Sequence, residues 1–317
     1  MNETSAVFDL DAARSLPSGI RFGSSTWTYP GWKGLIYHQE YKSEKEFKAT
    51  SLKEYCSCPL FRTVGIDSTF YAPPSPSLLR SYASMVPDGF QWVSQVWERI
   101  SIPLYPEHKR YGPNAGRANP DFLNSDLFRS RVLASYNLPE TKPHTGPFVF
   151  QFPTIPAALL SQLEFVPRLE KFLSSLPQDF RYAVEIRNPA LLDKPYFKAL
   201  NNCGATHCFN HWHIMPPLHV QMKKAAEAGG LKADFLVCRV LTPLGVSYEN
   251  AVSMFSPYDS LKRPDAQMRK DVVTFARRAV ERASEAFIIV NNRCEGNSPL
   301  TIDSITRMLT DGPLPTA

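Results

Sequence analysis

The chain has 317 residues, of which 43% are hydrophobic and 12% aromatic, so it can bury a sizeable core. Lys and Arg total 35 against 30 Asp and Glu, and this small, scattered excess does not favour nucleic-acid binding, which uses clustered basic residues. No apolar run approaches the roughly 20 residues that cross a bilayer, which argues against a membrane protein.

The N-terminal segment contains no basic stretch followed by an apolar one, so we expect no signal peptide. We interpret residues 1–18 as a flexible tail and residues 19–317 as one domain. Six cysteines in a chain of this length, without a secretory signal, are typical of reduced thiols in a cytoplasmic protein.

Short apolar, β-prone runs recur along the chain, and segments with helical spacing lie between them. We predict strands at residues 20–25, 63–70, 90–96, 148–152, 182–186, 205–210, 235–241 and 287–292. We predict helices at residues 44–55, 77–85, 127–136, 165–176, 196–201, 218–228, 268–283 and 302–309. Eight strand–helix units indicate an α/β protein with a parallel sheet.

Eight is also the number of strands that closes a TIM barrel. A doubly wound open sheet is the alternative, but no G-x-G-x-x-G motif follows the first predicted strand. The expected fold is therefore a single (β/α)8 TIM barrel.

Two predicted strand-to-helix connections are long and rich in proline and glycine. Residues 98–124 follow strand three, and residues 242–267 follow strand seven. In a TIM barrel such loops rise from the C-terminal face, where active sites lie in essentially every characterised example. Long loops in compact domains often act as lids, although a surface elaboration without a role is the alternative.

Strand five carries two charged residues on one face. Side chains alternate along a strand, so Val184 and Ile186 can face the helices while Glu185 and Arg187 face the barrel axis. Charges are rare inside a core because their desolvation is costly unless they are paired. We therefore predict that Glu185 and Arg187 are in contact at the barrel mouth. A structural ion pair that closes the barrel top is the alternative.

Polar residues also stand at the ends of other predicted strands. Polar side chains that converge where apolar runs stop are typical of a small-molecule pocket. These further candidates are Asp67, Gln151, Asn210, Arg239, Asn291 and Asn292.

Aromatic residues lie just beyond strands one to three. They can form a wall for a ring or a sugar face, because aromatic rings offer a large apolar contact with fixed geometry. Equally, they can plug the barrel end as part of the core. These residues are Trp27, Tyr29, Trp32, Phe70, Tyr71 and Trp97.

A cluster of His and Cys suggests a zinc site, since His207, Cys208, His211 and His213 lie within seven residues. However, His207 and Cys208 face opposite sides if residues 205–210 form a strand, so they cannot share one ion. We therefore expect no metal and no cofactor, with a metal held by His211 or His213 and an acidic mouth residue as the alternative. No G-x-S-x-G or Walker motif is present.

Several ordered sequence blocks resemble those of a known family. The segment GSSTWTYPGW at residues 23–32 resembles the opening motif of the YecE-like family, domain of unknown function 72. The resemblance covers roughly residues 20–310 and implies a TIM barrel with a pocket at the strand C-termini, but no established reaction, substrate or cofactor. The later blocks, in the same order, are STFY at 68–71, P-x-GF at 87–90, FQFP at 150–153, VEIR at 184–187 and NN at 291–292.

The chain departs from the family pattern at several strand ends. Gln95 stands where the family commonly has a lysine, and Asn210 stands where an aspartate is frequent. Ser101-Ile102 and Leu241-Thr242 replace a Thr-His and a His-Gly pair. Each change removes a group that could move a proton, which leaves Gln151, Glu185, Arg187 and Arg239 in place.

The leading hypothesis is an enzyme of hydrolase or isomerase type acting on a small polar substrate, carbohydrate-like or anionic. Glu185 would be the general base or nucleophile, because Arg187 favours its ionised form, and Asp67 would be the proton donor. Arg239 would bind an anion. A non-catalytic barrel that binds a small molecule is the second hypothesis, and a nucleic-acid-processing barrel is the third. In the first hypothesis Gln151 and Asn291 orient hydroxyls, and Trp27 and Tyr71 stack on the substrate.

Overall fold

Eight parallel strands form a nearly closed barrel in the computed structural model, which describes residues 7–312. The strand order is β1-β8-β7-β6-β5-β4-β3-β2, and the predicted strands are confirmed to within a few residues at their ends, except that the second ends at Ile66 and residues 67–70 form a 3-10 turn. The α/β TIM-barrel prediction is therefore confirmed. The strands are β1 Ile20–Ser24, β2 Thr63–Ile66, β3 Gln91–Gln95, β4 Thr145–Gln151, β5 Tyr182–Glu185, β6 Thr206–His211, β7 Phe235–Val240 and β8 Glu285–Val290.

Helices alternate with the strands and surround them. Polar side chains begin several helices, because Ser43, Asp193, Asp265 and Asn297 each accept a hydrogen bond from the backbone N–H three residues later. The α-helices are Leu10–Ser15, Glu44–Ser57, Pro76–Ala83, Glu98–Ser101, Ser125–Leu127, Ala134–Tyr136, Ala157–Gln162, Phe165–Ser174, Lys194–Asn202, Leu218–Glu227, Tyr248–Phe255, Ala266–Glu281 and Ser298–Thr310, and Phe128–Leu133 is π-helical. Within residues 7–312, none of them combines the length and the apolar character that crossing a membrane requires.

The barrel closes between β1 and β2 without a regular ladder. The Arg62 N–H donates to the Phe22 carbonyl at 2.8 Å, so the start of β2 meets the middle of β1. A Cβ atom on Gly23 would lie 2.1 Å from the Thr63 carbonyl oxygen, and only glycine permits this close approach. The opening glycine of the GSSTWTYPGW segment therefore serves the fold rather than a ligand.

The alternation of strand side chains separates two apolar cores. Val149, Ala183 and Cys208 belong to the cluster inside the barrel, together with Val237 and Ile289. The other face of each strand packs against the helices, as Val184 does on β5. Glu185, two residues after Ala183, therefore continues the inner face upward, as the sequence predicted.

The N-terminal end of the barrel is closed by a small ion network. Arg21 Nε donates to Glu285 Oε1 at 2.8 Å, and Arg181 Nη1 lies 2.5 Å from Glu285 Oε2. Both guanidinium groups lie over the Phe287 ring, at 5.5 and 5.7 Å from its centroid. This end of the barrel is thus closed by charged side chains that pair with one another.

The segment before β1 differs from the predicted flexible tail. Leu10–Ser15 forms a helix in which Asp9 accepts from the Ala12 N–H, and the Asp9 N–H donates to Asp303 at 2.8 Å. Ala13 is buried, so this helix packs onto the C-terminal helix Ser298–Thr310. The prediction missed a helix of barely two turns, which depends on tertiary contacts for its stability. Residues 1–6 of the predicted tail lie outside the described residues.

The two long loops follow β3 and β7, as predicted. The first contains the short helix Glu98–Ser101 and the 3-10 segment Lys109–Asn114, and the second contains the helix Tyr248–Phe255. The short helices within these loops therefore provide hydrogen-bond partners for part of the backbone N–H and C=O groups.

Candidate functional site

A pocket of about 300 Å³ opens at the C-terminal ends of the strands. Its position matches the prediction for a TIM barrel, and its lining is mostly polar, as expected for a site that binds a polar molecule. The lining residues are Asp67, Ser68, Phe70, Tyr71, Gln95, Gln151, Arg187, Trp212, Arg239, Leu241, Thr242, Tyr248, Asn291 and Arg293.

Glu185 forms the floor beneath this pocket and is 0% exposed. Its Oε1 accepts from Arg187 at 3.0 and 3.2 Å, and its Oε2 accepts from Arg239 at 2.6 Å. The predicted contact between Glu185 and Arg187 is therefore present. Burial raises the pKa of Glu185, but the charges and hydrogen bonds of Arg239 and Arg187 outweigh it, so the pKa lies below its ordinary value.

Arg239 bridges two carboxylates. Its Nη1 binds Glu185, and its Nη2 lies 3.1 and 3.2 Å from the two oxygens of Asp67. Asp67 begins the 3-10 turn Asp67–Phe70 directly after β2, and its side chain is 34% exposed to the pocket. Desolvation raises the pKa of Asp67 and the charge of Glu185 adds to this, and these effects together outweigh the lowering by Arg239, Arg293 and Arg187.

Two glutamines extend the network across β3 and β4. Gln151 Oε1 accepts from Gln95, from Arg187 at 2.9 Å and from Arg239 at 3.3 Å. Three donors on one oxygen fix the orientation of the amide, so the Nε2 group of Gln151 is turned away from them. Gln95, which occupies the place of a family lysine, belongs to the pocket although the prediction did not include it.

Two arginines at the mouth stack on aromatic rings. The Arg187 guanidinium lies 3.8 Å from the centroid of Trp212, and that of Arg293 lies 4.6 Å from the centroid of Tyr248. Such cation–π contacts fix the orientation of a guanidinium while leaving its N–H edge available. The sequence prediction missed Trp212, Tyr248 and Arg293, although Arg293 directly follows the asparagine pair.

Two polar side chains stand beside Arg293. Asn291 Oδ1 accepts from the Arg293 backbone N–H at 3.0 Å, so its amide nitrogen points elsewhere. Thr242 is fully buried, and its hydroxyl has no hydrogen-bond partner within residues 7–312. A buried hydroxyl without a partner is costly in a folded protein, and this one belongs to a residue that lines the pocket.

The rim of the pocket is formed by Tyr71, which is 62% exposed. The Arg110 guanidinium lies 5.1 Å from its ring centroid, and Arg110 itself is paired with Glu98. The long loop after β3 therefore reaches the site through Arg110.

Two predicted aromatic site residues belong to the core instead. Trp27 is buried edge-on against Tyr82 at 4.9 Å, and its carbonyl accepts from the Tyr37 hydroxyl. Tyr29 packs against Trp32 at 5.5 Å, and its hydroxyl donates to a backbone carbonyl in the loop after β7. Neither residue lines the pocket, so the structure corrects both assignments: Trp27 is part of the core, and Tyr29 is partly buried against it.

Two predicted asparagines also lie away from the pocket lining. Asn210 is fully buried, and its amide donates to the carbonyls of Ile186 and Cys208 at 3.3 and 3.2 Å. Asn292 Oδ1 accepts from the Ser298 N–H at 2.9 Å, at the start of the C-terminal helix. Both side chains therefore bind backbone groups, although Asn210 Oδ1 has no hydrogen-bond partner within residues 7–312.

The His and Cys cluster on β6 is divided as the alternation of side chains predicted. His207 Nδ1 lies 3.0 Å from the Tyr196 hydroxyl on the helix side, and burial lowers the pKa of His207 to about 4. Cys208 faces the interior. His211 Nε2 lies 3.8 Å from Asp265 rather than near an acidic residue of the pocket. In the described part of the chain, no three His, Cys, Asp or Glu side chains converge as a metal site would require.

Comparisons with known proteins agree with this architecture. The curated UPF0759 protein YecE of Escherichia coli K12 is 28% identical over 175 residues, which is 55% of this chain and 51% of the relative, so the match spans about half of that protein. A solved DUF72 family structure from Enterococcus faecalis V583 has a TM-score of 0.61 at 15% identity and covers 94% of this chain and 98% of its own.

A second solved DUF72 family structure, from Thermotoga maritima MSB8, has a TM-score of 0.59 at 17% identity, covering 92% of this chain and 98% of its own. At these identities the two structures show the fold alone. The family model described as "Protein of unknown function DUF72" matches residues 21–316, which is most of the chain. Because this model covers nearly the whole chain, the chain belongs to the DUF72 family.

Proposed function

We propose that the pocket is the active site of an enzyme that transfers a proton on a small polar substrate, with Asp67 as the acid–base residue. The observation that carries this proposal is that Asp67 is a carboxylate open to the pocket whose pKa is raised by its surroundings. A carboxyl group with a raised pKa can hold a proton nearer to neutral pH and donate it.

Glu185 has a different role in this proposal from the base suggested by the sequence. Both of its oxygens are occupied by arginines, it is not exposed to the pocket, and its pKa is lowered. A carboxylate in this setting is a poor base, but it fixes the positions of Arg187 and Arg239. Glu185 is therefore a positioning residue that directs two guanidinium groups towards the substrate.

The remaining lining supports a substrate that is rich in oxygen atoms. The Nε2 group of Gln151 and the Nδ2 group of Asn291 are left to donate to it, and Tyr71 and Trp212 offer ring surfaces. A volume of about 300 Å³ suits a small molecule. A hydrolase-type or isomerase-type reaction fits a site that combines one titrating carboxyl with fixed donors.

The test is Asp67→Asn in a turnover screen with aryl glycosides, aryl phosphates and hydroxy acids, followed by absorbance and proton NMR. We expect kcat to fall by about 100-fold or more, because the amide keeps the shape of the side chain but cannot transfer a proton. Glu285→Gln is the matched control, since Glu285 lies at the opposite end of the barrel and its loss should leave kcat unchanged. An Asp67→Asn protein with the parent kcat would contradict the mechanism.

A non-catalytic binding barrel is the second candidate. It is favoured by the three side-chain amides of Gln95, Gln151 and Asn291 in the lining, which bind but do not move protons. A parent protein that binds small molecules in this pocket and turns over none of the screened substrates would replace the first proposal with this one.

A further inference from the structure

We infer that the side of the pocket formed by the ends of β7 and β8 binds a phosphate group of the ligand, through Arg293, Asn291 and Thr242. The inference deepens the proposed function, because it names the class of molecule that the same pocket takes. The protein leaves donors without partners on this side of the pocket, and they can bind a phosphate group of a substrate or of a ligand that does not react.

Arg293 is the first of these donors. Arg187 and Arg239 are each paired with a carboxylate, whereas Arg293 has no carboxylate within 4.0 Å in the part of the chain that the structure describes. Its guanidinium lies over the Tyr248 ring, 4.6 Å from the ring centroid, so the direction of its N–H groups is fixed before a ligand binds. A guanidinium group that is fixed in place and open to a pocket is suited to binding two oxygens of a phosphate.

The pairing of β7 with β8 brings the other two donors to the same side. Val240 and Val290 are register partners, and Thr242 and Asn291 follow them within two residues. The hydroxyl of Thr242 is buried without a partner, and the amide nitrogen of Asn291 donates to no acceptor among residues 7–312. A guanidinium, an amide and a hydroxyl from three separate residues can each donate to a different phosphate oxygen.

The charge of the site also favours an anion. Three guanidinium groups, those of Arg187, Arg239 and Arg293, stand against the two carboxylates of Asp67 and Glu185. Arg293 supplies the excess positive charge; it forms no salt bridge with either carboxylate within residues 7–312, although its charge acts on Asp67. Loops after the seventh and eighth strands are also where TIM barrels frequently bind phosphate, which favours phosphate over a carboxylate group.

The test is titration of inorganic phosphate into the parent protein and Arg293→Gln by calorimetry at constant ionic strength. We expect the Kd to rise about tenfold or more in the variant, because a charge-assisted hydrogen bond is lost. Arg131→Gln is the matched control, since Arg131 is an exposed arginine that does not line the pocket, and its Kd should stay within about twofold of the parent value. An unchanged Kd in Arg293→Gln, or tighter binding of acetate than of phosphate, would overturn the inference.

Thr242→Val provides a second test that does not depend on how Arg293→Gln folds. The change removes an unpaired buried hydroxyl, so the free energy of unfolding should stay equal or increase while phosphate binding weakens. A merely structural threonine would give the opposite result, with lower stability and unchanged phosphate binding. No saturable phosphate binding to the parent in the millimolar range also overturns the inference.

Failure of this inference can be distinguished from failure of the proposed enzyme. Asp67→Asn removes a negative charge from the pocket, so it should retain or tighten phosphate binding even though it loses turnover. If phosphate binding depends on Arg293 but no turnover is found, the phosphate site is supported and the proposed enzyme activity is contradicted. If turnover depends on Asp67 but phosphate binding does not depend on Arg293, only the phosphate site is contradicted.

Discussion

Each end of the barrel holds carboxylates and arginines in contact, but the two networks differ in how the charges are shared. At the N-terminal end, Glu285 has Arg21 and Arg181 to itself and stays 26% exposed. At the C-terminal end, Glu185 is fully buried and shares Arg239 with Asp67. The first network satisfies itself, whereas the second leaves one carboxyl with a raised pKa beside a pocket.

An ion network at a barrel end is therefore not by itself the mark of a functional site. What distinguishes the C-terminal end is an open pocket whose lining includes Thr242 and Arg293, and within residues 7–312 the Thr242 hydroxyl has no hydrogen-bond partner and Arg293 has no carboxylate partner. Unpartnered polar groups are costly to keep in a folded protein, so a group of this kind in the lining of a pocket is a candidate for binding a ligand.

The largest predicted difference between the two ends is in stability. Glu185→Gln removes the carboxylate that pairs with the buried groups of Arg187 and Arg239. We therefore expect the free energy of unfolding to fall by about 3–5 kcal/mol. Glu285→Gln should cost about 1 kcal/mol or less, because its network is partly exposed to water. Urea denaturation of both variants measures the difference, and equal losses would show that the two networks do not differ in this way.

A smaller effect should separate the two neighbouring asparagines after β8. Asn292→Ala removes the acceptor for the Ser298 N–H, so we expect a loss of about 1 kcal/mol in stability, without any change in phosphate affinity. Asn291→Ala should instead weaken phosphate binding, because Asn291 lines the pocket. Calorimetric titration together with thermal unfolding separates the two cases, and weaker phosphate binding in Asn292→Ala would return that residue to the site.

The smallest effect concerns the pH dependence of stability. The pKa of Asp67 is raised by burial and by Glu185, so the folded protein binds this proton more tightly than the unfolded chain does. Ionising Asp67 therefore lowers stability as the pH rises from about 4, the ordinary pKa of an aspartate, through its raised value. Asp67→Asn should match the parent in acid and become relatively more stable above that window. A variant that is less stable than the parent at neutral pH would show that Arg239 outweighs burial at this site.

Alternation along the strands was enough to predict a large part of this site. The pairing of Glu185 with Arg187 and the placement of Asp67, Gln151 and Arg239 at one end follow from counting residues in apolar runs. The same reasoning missed Trp212, Tyr248 and Arg293, because they lie beyond the strands, where side-chain direction follows no period. It also assigned Trp27 and Tyr29 to the site, since an aromatic residue near a strand end can face a pocket or the core.

The sequence by itself determined the eight strand–helix units, the position of the pocket at the strand C-termini and the inward direction of Glu185. These depend on local periodicity and on the chain order of apolar segments, which the sequence displays directly. Only the tertiary structure decided that Glu185 is buried between two arginines, that Asp67 shares one of them, and that Arg293 has no carboxylate partner within residues 7–312. Burial and the sharing of one guanidinium between two carboxylates arise from residues far apart in the chain, such as Asp67 and Arg239, so no local pattern could reveal them.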